Sequence, residues 1–401
     1  MPDSPRGYQF NQQELVADIH AHPDLKIHLF DYDLTTDHFT TPDFNPVHMQ
    51  VDLPKLQRAG VDLVFATAYL PEKRFVDDCS VLSGVNKVLS FYFRKIRNKV
   101  EEWSHPERPF EQTIEMLKTF ENKVAAVKNY PVMIAKNKAE MKRGLEHGMI
   151  VFVHAIEGAH SLGHNLSHAR EYLKKLHEFF DRGVCMMTVA HFYENDLSYP
   201  LIGIAPGMRK VLNCKQKPDF SKGLTPLGEK IVKEMLEIGM LVDLTHLTPK
   251  GRARIYEINR NCGSKKRPLI FSHCGITRLF NVAMNPDENE IKEIADCNGV
   301  IGIIFNNYWL FGLQERFLQY NPALSYIIRT VEEIKQITGT YDNIAIGSDY
   351  DGFTDPPDDL RDISKMPRVS QALLDYGISY EDVKKIMGQN ARRVLETGWD
   401  K

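Results

Sequence analysis

The stretch GLTPLGEKIVKEMLEIGMLVDLTH, residues 223–246, decides the fold because it joins a helix, a buried strand and a polar strand end. Thr225 is a good helix N-cap, Pro226 suits the first helical position, and Gly239 is a typical helix terminator. The apolar run from Met240 to Thr245 follows at once and ends at a histidine. The stretch therefore predicts an amphipathic helix that leads into a strand of a buried sheet.

The same alternation continues along the whole chain. Seven further short apolar runs are separated by longer helix-like segments, as expected of a parallel sheet built from βα units. These runs are Leu15–His20, Val61–Ala68, Met149–Val153, Val184–Ala190, Pro268–Ser272, Val300–Phe305 and Ile344–Gly347. Their near-continuous hydrophobicity fits strands that are buried on both faces. We therefore predict an α/β protein, a (β/α)₈ TIM barrel that occupies residues 1–401 as a single domain.

The connections between the runs differ in length. A helical insertion over about 72–147 follows the second strand, and a C-terminal helix over about 379–397 closes the barrel. Amphipathic stretches predict helices at Val85–Trp103 and Phe110–Val127 inside the insertion. Two other connections are long enough to predict binding loops on the active-site face. These loops are Pro23–Leu53 and Phe192–Gly223.

Composition limits the possible partners. The 401 residues carry a formal net charge of −3, which leaves no broad positive field for nucleic acid. The sequence has neither a secretion signal nor a run of about 20 apolar residues, so we expect a cytoplasmic protein without a membrane partner. The six cysteines form no C-x-x-C pair, and we expect no structural disulfides. The oligomeric state is left open, with a homodimer among the options.

Histidines and carboxylates fall where the predicted strands end. In a barrel these ends converge on one mouth, so residues distant in sequence share a cavity. The strand-end residues of interest are His20, His22, Glu157, His191, His246, His273 and Asp349.

The types and spacing of these residues predict a pair of metal ions. His20 and His22 are two apart on an extended strand, so their side chains share a face and can hold one cation. His246 and His273 can hold a second, and the two oxygens of Glu157 can bridge the pair. Imidazole and carboxylate ligands suit Zn²⁺, and two cations can hold and ionise a water molecule for hydrolysis. Each histidine taken singly also fits a hydrogen-bonded core residue.

Three further residues are predicted to act on the substrate. Asp349 can take a proton from the nucleophilic water and pass it to the leaving amine, although an aspartate that merely caps an acidic loop is the alternative. His191 can donate a hydrogen bond to the developing oxyanion, or be a buried structural histidine. Asn306, directly after the seventh run, is predicted to contact substrate.

These motifs together resemble the membrane (renal) dipeptidase family of zinc peptidases, in the amidohydrolase superfamily. Glu157–Gly163 is similar to the family's bridging-glutamate motif, Gly223–Gly228 to the stretch before its fifth strand, and Gly347–Gly352 to its catalytic-aspartate motif. The similarity spans nearly the whole chain and implies an amidohydrolase-like barrel.

The resemblance implies a dinuclear zinc dipeptidase. Glu157 would bridge the two zinc ions, His191 would contact the substrate, and Asp349 would be the proton shuttle. The remaining ligands implied are His20 and His22 for one ion and His246 and His273 for the other. Dipeptides, including those with a C-terminal D-residue, become the expected substrates.

Two positions depart from the family pattern. The family's first strand usually ends in His-x-Asp, whereas this one ends in His20-Ala21-His22, so the site has one negative charge fewer. Met284 stands where the family has an arginine that binds the substrate carboxylate, and an apolar side chain cannot replace a guanidinium. Either Arg278 or Arg209 substitutes, or the substrate is not an ordinary free dipeptide.

Three functions therefore stay open at this point. The first is a metal-dependent dipeptidase, on the full ligand set and the matching motifs. The second is a related hydrolase of another amide, a lactone or a modified peptide, because Met284 replaces the expected arginine. The third is a barrel that binds metal and a partner without hydrolysis, against which the retained Asp349 and His191 argue.

Overall fold

A computed structural model describes residues 5–41, 45–72, 78, 107–203, 206–312 and 323–401. Within these residues one sheet contains nine strands, and every pairing between them is parallel. The strands are β1 (Ala17–Ala21), β2 (Leu63–Tyr69), β3 (Val132–Ala135), β4 (Ile150–Glu157), β5 (Val184–Thr188), β6 (Leu241–Asp243), β7 (Leu269–Cys274), β8 (Val300–Ile303) and β9 (Ile344–Ile346).

Eight of these strands form the barrel, in the order β1-β2-β4-β5-β6-β7-β8-β9. A parallel bridge between Ala21 and Tyr350 brings the chain after β9 back to the end of β1. Two backbone hydrogen bonds reinforce this closure, from His22 N to Tyr350 O at 2.8 Å and from Asp349 N to His20 O at 2.9 Å. The predicted (β/α)₈ barrel is confirmed, and its eight strands match the eight apolar runs.

Helices surround the sheet in chain order. They are α1 (Pro5–Gln13), α2 (Pro23–Phe30), α3 (Leu53–Ala59), α4 (Pro109–Ala126), α5 (Lys138–Glu146), α6 (Ala169–Asp181), α7 (Pro206–Leu212), α8 (Pro226–Ile238), α9 (Pro249–Asn261), α10 (Glu288–Asp296), α11 (Asn307–Phe311), α12 (Leu324–Thr338), α13 (Met366–Tyr376), α14 (Tyr380–Lys384) and α15 (Asn390–Gly398). The helix α8 begins as predicted, because the Thr225 hydroxyl accepts from Gly228 N. It ends at Gly239, which has a left-handed φ of 77°. None of the helices within the described ranges is both long and apolar enough to cross a bilayer.

The core has two layers because strand residues alternate between the two faces of the sheet. In β2, Leu63 and Phe65 point into the barrel, whereas Val64 and Ala66 pack beneath the outer helices. Residues of α15 and the fully buried Trp399 join the inner layer. The C-terminal helix therefore closes the end of the barrel opposite the strand ends that carry the site.

Several sequence predictions were wrong or incomplete. The connection predicted as a long loop at Pro23–Leu53 begins with the helix α2, which starts at Pro23 directly after His22. The short strand β3 was missed, and it pairs with Ile150–Val153 of β4. The helix predicted at Phe110–Val127 corresponds to α4, whereas Val85–Trp103 lies outside the described residues.

The C-terminal helix is not continuous. A π-helical turn, Lys385–Gln389, separates α14 from α15. Gly388 lies in this turn, and a Cβ at this position would meet Leu15 O at 2.1 Å. The close approach of the strand entrance to the helix backbone therefore requires glycine. The apolar spacing alone predicted one unbroken helix.

The cysteines also differ from the prediction. Cys214 is disulfide-bonded, so the expectation of no structural disulfides was wrong. Among the cysteines that the structure describes, four are free, namely Cys185, Cys262, Cys274 and Cys297. Disulfides are rare in cytosolic proteins, so the cysteine pattern no longer supports a reducing compartment.

Candidate metal centre

The carboxyl ends of the strands bring the five predicted ligands together around one carboxylate. Glu157 ends β4, His20 lies in β1 with His22 directly after the strand, His246 follows β6, and His273 lies in β7. All five side chains are buried. Because they come from four different strand ends, the barrel and not a local motif assembles the cluster.

Two histidines of the first strand form one half of the cluster. His20 Nε2 lies 3.4 Å from Glu157 Oε1, and His22 Nε2 lies 3.6 Å from Glu157 Oε2. The two Nε2 atoms are 3.1 Å apart. His22 Nδ1 donates to the Thr67 carbonyl at 2.7 Å, which leaves Nε2 as the ring nitrogen able to bind a cation.

The second half is formed by His246 and His273. Their Nε2 atoms are 3.0 Å apart and lie 3.3 and 3.5 Å from Glu157 Oε1. His273 Nδ1 lies 2.9 Å from the Ser272 hydroxyl, which donates to Asp243 Oδ2 at 2.6 Å. This chain of hydrogen bonds orients the ring and keeps the proton on Nδ1, so Nε2 faces the cluster as an acceptor.

Four of the eight described non-glycine residues with left-handed φ lie at this site or in the turn beside it, and Phe353 is one of them. His246, Asp349 and Asp351 have left-handed φ values of 67°, 65° and 66°, which are unusual for residues other than glycine. Gly203 packs against the His246 ring so closely that a Cβ would meet Cε1 at 2.6 Å. The loop after β5 therefore covers the second half of the cluster without space for a side chain at position 203.

Asp349 and His191 lie beside the ligands. Asp349 Oδ1 is 3.3 Å from His22 Nε2 and 3.8 Å from His20 Nε2. His191 Nε2 is 3.6 Å from Glu157 Oε2, and its ring stacks on Phe192 with the centroids 3.7 Å apart. Both residues are therefore close enough to act on a molecule bound at the cluster.

Glu72 is a buried carboxylate at the site that the sequence analysis missed. Its Oε1 lies 3.4 Å from His191 Nδ1 and accepts from Phe192 N at 2.7 Å and Tyr193 N at 3.2 Å. Tyr69 donates to its Oε2 at 3.3 Å. Glu72 comes three residues after β2 ends, so the strand-end rule that selected the other site residues also applies to it. The sequence analysis had assigned this position to the start of the helical insertion.

The charges of the cluster act strongly on one another. Burial alone would lower the pKa of His22, but the carboxylates of Asp349 and Glu157 raise it to about 9. Burial alone would raise the pKa of Glu157, but the surrounding histidines hold it well below its usual range. Burial and neighbouring imidazoles lower the pKa of His246 and of His273. These two rings are therefore neutral at neutral pH, the form that binds metal.

The donor atoms fit divalent metal ions. Metal–nitrogen and metal–oxygen distances of about 2.0–2.2 Å in a tetrahedral site place ligand atoms about 3.3–3.6 Å apart. The separations of 3.0–3.6 Å within both halves of the cluster are close to this spacing. Three overlapping triads of donors satisfy the geometry of a metal site, namely His20–His22–Asp349, His20–Glu157–His273 and Glu157–His191–His246.

Three other residues that the sequence singled out lie elsewhere or have structural roles. Asn306 caps α11, and its side chain accepts from the backbone of Tyr308 and Trp309. The half-exposed Arg278 contacts Glu333 and Gln336 of α12, at 3.2 and 3.0 Å. Met284 is buried, with 4% of its surface exposed. Substrate binding by Asn306 and Arg278 stays a prediction.

Arg209 lies in α7, in the long loop after β5. Its guanidinium donates to the Gln216 carbonyl, and its Nε has no hydrogen-bond partner among the described residues. Burial and Asp78 raise the pKa of Tyr193, and the Arg209 charge opposes this. The Arg209 charge thus acts on the Tyr193 hydroxyl, which donates to Asp78 Oδ2 at 2.9 Å.

The fold and the donor set define a class of protein: a (β/α)₈ barrel with a buried cluster of imidazole and carboxylate groups, suited to divalent metal ions, at the carboxyl ends of its strands. The sequence then identifies the family. The profile of the membrane dipeptidase family, peptidase family M19, matches residues 11–398, and the chain belongs to this family. The resemblance inferred from the motifs is thereby confirmed.

Individual relatives agree with this assignment. The chain is 28% identical over 245 residues to an uncharacterised dipeptidase of Schizosaccharomyces pombe, over 61% of this chain and 52% of that protein. It is 29% identical to dipeptidase tcpJ of Claviceps purpurea, over 65% of this chain and 54% of that protein. The matches thus span about half the length of both relatives. A metallopeptidase of Rhodobacter sphaeroides, liganded with a phosphinate mimic of L-Ala-D-Ala, has the same fold, with a TM-score of 0.69, 16% identity and coverage of 96% and 99% of the two chains.

Proposed function

We propose that the chain is a metal-dependent dipeptidase that uses two divalent ions, with zinc expected, to cleave dipeptides. The observation that carries this proposal is the convergence of four buried imidazoles on Glu157, each with Nε2 within 3.6 Å of a carboxylate oxygen. The similarity in fold to a metallopeptidase liganded with a mimic of L-Ala-D-Ala supports dipeptides with a C-terminal D-residue as one substrate class.

The surrounding residues supply the remaining chemistry. Two bound divalent ions would polarise the scissile carbonyl and supply a water-derived nucleophile at neutral pH. Asp349, beside the first-strand histidines, takes the proton of that water and passes it to the leaving amine. Burial alone would lower the pKa of His191, but Glu157 and Glu72 raise it, so the ring carries a proton on both nitrogens. With Nδ1 facing Glu72, His191 then donates through Nε2 to the carbonyl oxygen as negative charge develops there.

A dipeptide also needs a partner for its free carboxylate. Arg209 is the stronger candidate, because the long loop that carries it also packs Gly203 against the His246 ring, and its Nε makes no hydrogen bond among the described residues. Arg278 is the weaker one, because Glu333 and Gln336 already engage its guanidinium. We therefore assign carboxylate binding to Arg209.

A second candidate function follows from Met284. This buried apolar side chain stands where the family's carboxylate-binding arginine is expected. If Arg209 does not bind a carboxylate, the metal centre would suit an uncharged amide, a lactone or a peptide with a blocked C-terminus as substrate. Activity confined to substrates without a free carboxylate would support this alternative.

The experiment is hydrolysis of a panel of L,L- and L,D-dipeptides by Zn²⁺-loaded protein. We expect turnover that a chelator abolishes and added Zn²⁺ restores. His273→Gln removes one ligand and should lower both metal affinity and activity by more than about 100-fold. This loss exceeds the usual cost of removing a residue that only hydrogen-bonds to a ligand. His147→Gln, at an exposed histidine outside the cluster, is the matched control and should behave as the wild type.

A metal-loaded protein that hydrolyses no member of the panel would refute the dipeptidase proposal. Extending the panel to blocked peptides, amides and lactones then tests the second candidate. Partners other than a small substrate, such as nucleic acid or membrane, are not part of the proposal, and the homodimer remains an open option. A cytoplasmic location stays a prediction from the sequence.

A further inference from the structure

We infer that Phe192 determines substrate specificity, because its aromatic ring forms an apolar wall beside the metal centre that favours a large apolar side chain. This inference depends on the proposed function and deepens it, since it names the class of side chain that the substrate carries. The sequence analysis treated Phe192 only as the first residue of the long loop after β5. Its place beside two histidines of the site gives it a different role.

The ring of Phe192 contacts two histidines of the site. It stacks on the His191 ring, with the centroids 3.7 Å apart and the planes at 27°. It meets the His246 ring edge-on, with the centroids 5.5 Å apart and the planes at 80°. His191 and His246 are buried, whereas Phe192 is partly exposed. A substrate that accepts a hydrogen bond from His191 while it is bound at the cluster is therefore placed beside this ring.

Neighbouring backbone holds the ring in place. Phe192 N donates to Glu72 Oε1 at 2.7 Å, which fixes the start of the loop. Further along the loop, Leu201 N donates to His246 O at 2.6 Å and keeps the chain close to the second half of the cluster. A Cβ on Gly203 would meet Phe192 Cε1 at 2.5 Å and His246 Cε1 at 2.6 Å. The ring is therefore packed on several sides and is preorganised for contact with a ligand.

A fixed aromatic surface favours apolar groups of the substrate. The ring carbons of Phe192 offer no conventional hydrogen-bond partner to an amide or a charged side chain, which would lose water without compensation. A large apolar side chain leaves water favourably and gains packing contacts with the ring. In apolar pockets, one methylene group changes kcat/KM by about 10–200-fold. We therefore expect a preference of at least about 10-fold for leucine over asparagine, whose side chains have similar shapes, at the substrate position that faces Phe192.

The test compares dipeptides in which one position is alanine and the other is leucine or asparagine, in both orders. The kcat/KM of each dipeptide is measured with Zn²⁺-loaded wild type, Phe192→Ala and Phe192→Leu. Isothermal titration calorimetry with phosphinate mimics of the same dipeptides gives dissociation constants, and it applies even where no dipeptide is hydrolysed. Phe220→Ala is the matched control, because Phe220 lies in the same long loop and is 52% exposed. Zn²⁺ content and circular dichroism establish that each variant is loaded and folded.

We expect the wild type to prefer leucine at one of the two positions, in both kcat/KM and affinity, and Phe220→Ala to retain this preference. Phe192→Ala should lower kcat/KM for the leucine substrate by at least about 10-fold and leave the asparagine substrate nearly unchanged, so that the preference disappears. Phe192→Leu keeps an apolar side chain and should retain most of the preference. If Phe192→Ala fails to fold, Phe192→Gln replaces it, because a polar side chain of similar length should also abolish the preference.

Three results would overturn the inference. The first is a wild type without a preference for leucine at either position. The second is a preference that the Phe192→Ala protein retains. The third is an equal fall in kcat for all substrates, which would make Phe192 only a support for the His191 ring. A wild type that hydrolyses no dipeptide but binds the leucine mimic more tightly than the asparagine mimic would refute the proposed function alone, so the two failures are distinguishable.

Discussion

Glu72 gives the sharpest quantitative prediction of the site. Burial alone would raise the pKa of this carboxyl, but the charges of His191 and His160 and the hydrogen bonds it accepts lower the pKa from 4.5 to about 2. At about 1.36 kcal/mol per pH unit, this difference corresponds to about 3 kcal/mol in favour of the ionised, folded form. Glu72→Gln should therefore lower the free energy of unfolding of the metal-free protein by about 3 kcal/mol at pH 7.

The pH dependence follows from the direction of the shift. Because the folded pKa lies below the unfolded value, the contribution is complete above pH 4.5 and is lost as the pH falls through 2. At pH 3 the difference between Glu72→Gln and the wild type should shrink to less than half of its value at pH 7. Urea unfolding at both pH values measures it, in protein freed of metal because bound cations add charge beside His191.

The same substitution tests the role of Glu72 as a positioning residue. A glutamine retains an oxygen that accepts from Phe192 N but no longer attracts the His191 ring. We expect a fall in kcat of about 100-fold with little change in KM, as for a displacement of a catalytic group by about 1 Å. Glu115→Gln, at an exposed glutamate of α4, should change stability by less than about 0.5 kcal/mol. A loss below about 1 kcal/mol in Glu72→Gln, or one independent of pH, would refute the reasoning.

Three further substitutions test separate parts of the structure. Ser272→Ala breaks the hydrogen-bond chain to His273 and should weaken Zn²⁺ binding about 10–100-fold in chelator competition, with the fold retained by circular dichroism. Gly203→Ala forces a methyl group against the His246 ring and should lower the affinity for metal more than the free energy of unfolding. Metal titration measures the first quantity and urea unfolding the second. Asp62→Asn should stabilise the protein. Burial raises the pKa of Asp62 to about 6, so ionisation of its carboxyl in the folded state lowers the stability as the pH rises from 4 through 6. Urea unfolding should give no gain below pH 4 and up to about 3 kcal/mol at pH 8.

The barrel was predictable because its signals are local and repeated. Each apolar run bounded by helix caps marks a strand, and Thr225 and Gly239 delimit α8 as their chemistry requires. The strand β3 was missed because only one of its four residues is fully buried, so its apolar signal resembles that of a loop. The π-helical turn near Gly388 depends on contact with Leu15, which sequence spacing cannot reveal.

The site was predictable where residues sit at strand ends. The five ligands converge because parallel strands share one mouth, so strand boundaries were enough to select them. The relay from Asp243 through Ser272 depends on side-chain hydrogen bonds between neighbouring strands, and no spacing rule encodes it. The engagement of Arg278 by α12 likewise depends on helix packing. The roles of the individual site residues remain predictions for the experiments above.

The left-handed backbone of His246 bears on attempts to make this protein more robust. A non-glycine residue in that conformation costs on the order of 1–3 kcal/mol, so glycine or asparagine would relax the chain there. A thermostability screen that scores folding alone should therefore select against this histidine, because its benefit exists only when a cation is held. Engineered consensus or stabilised versions of the chain should keep position 246 fixed, since robustness and metal binding make opposite demands on it.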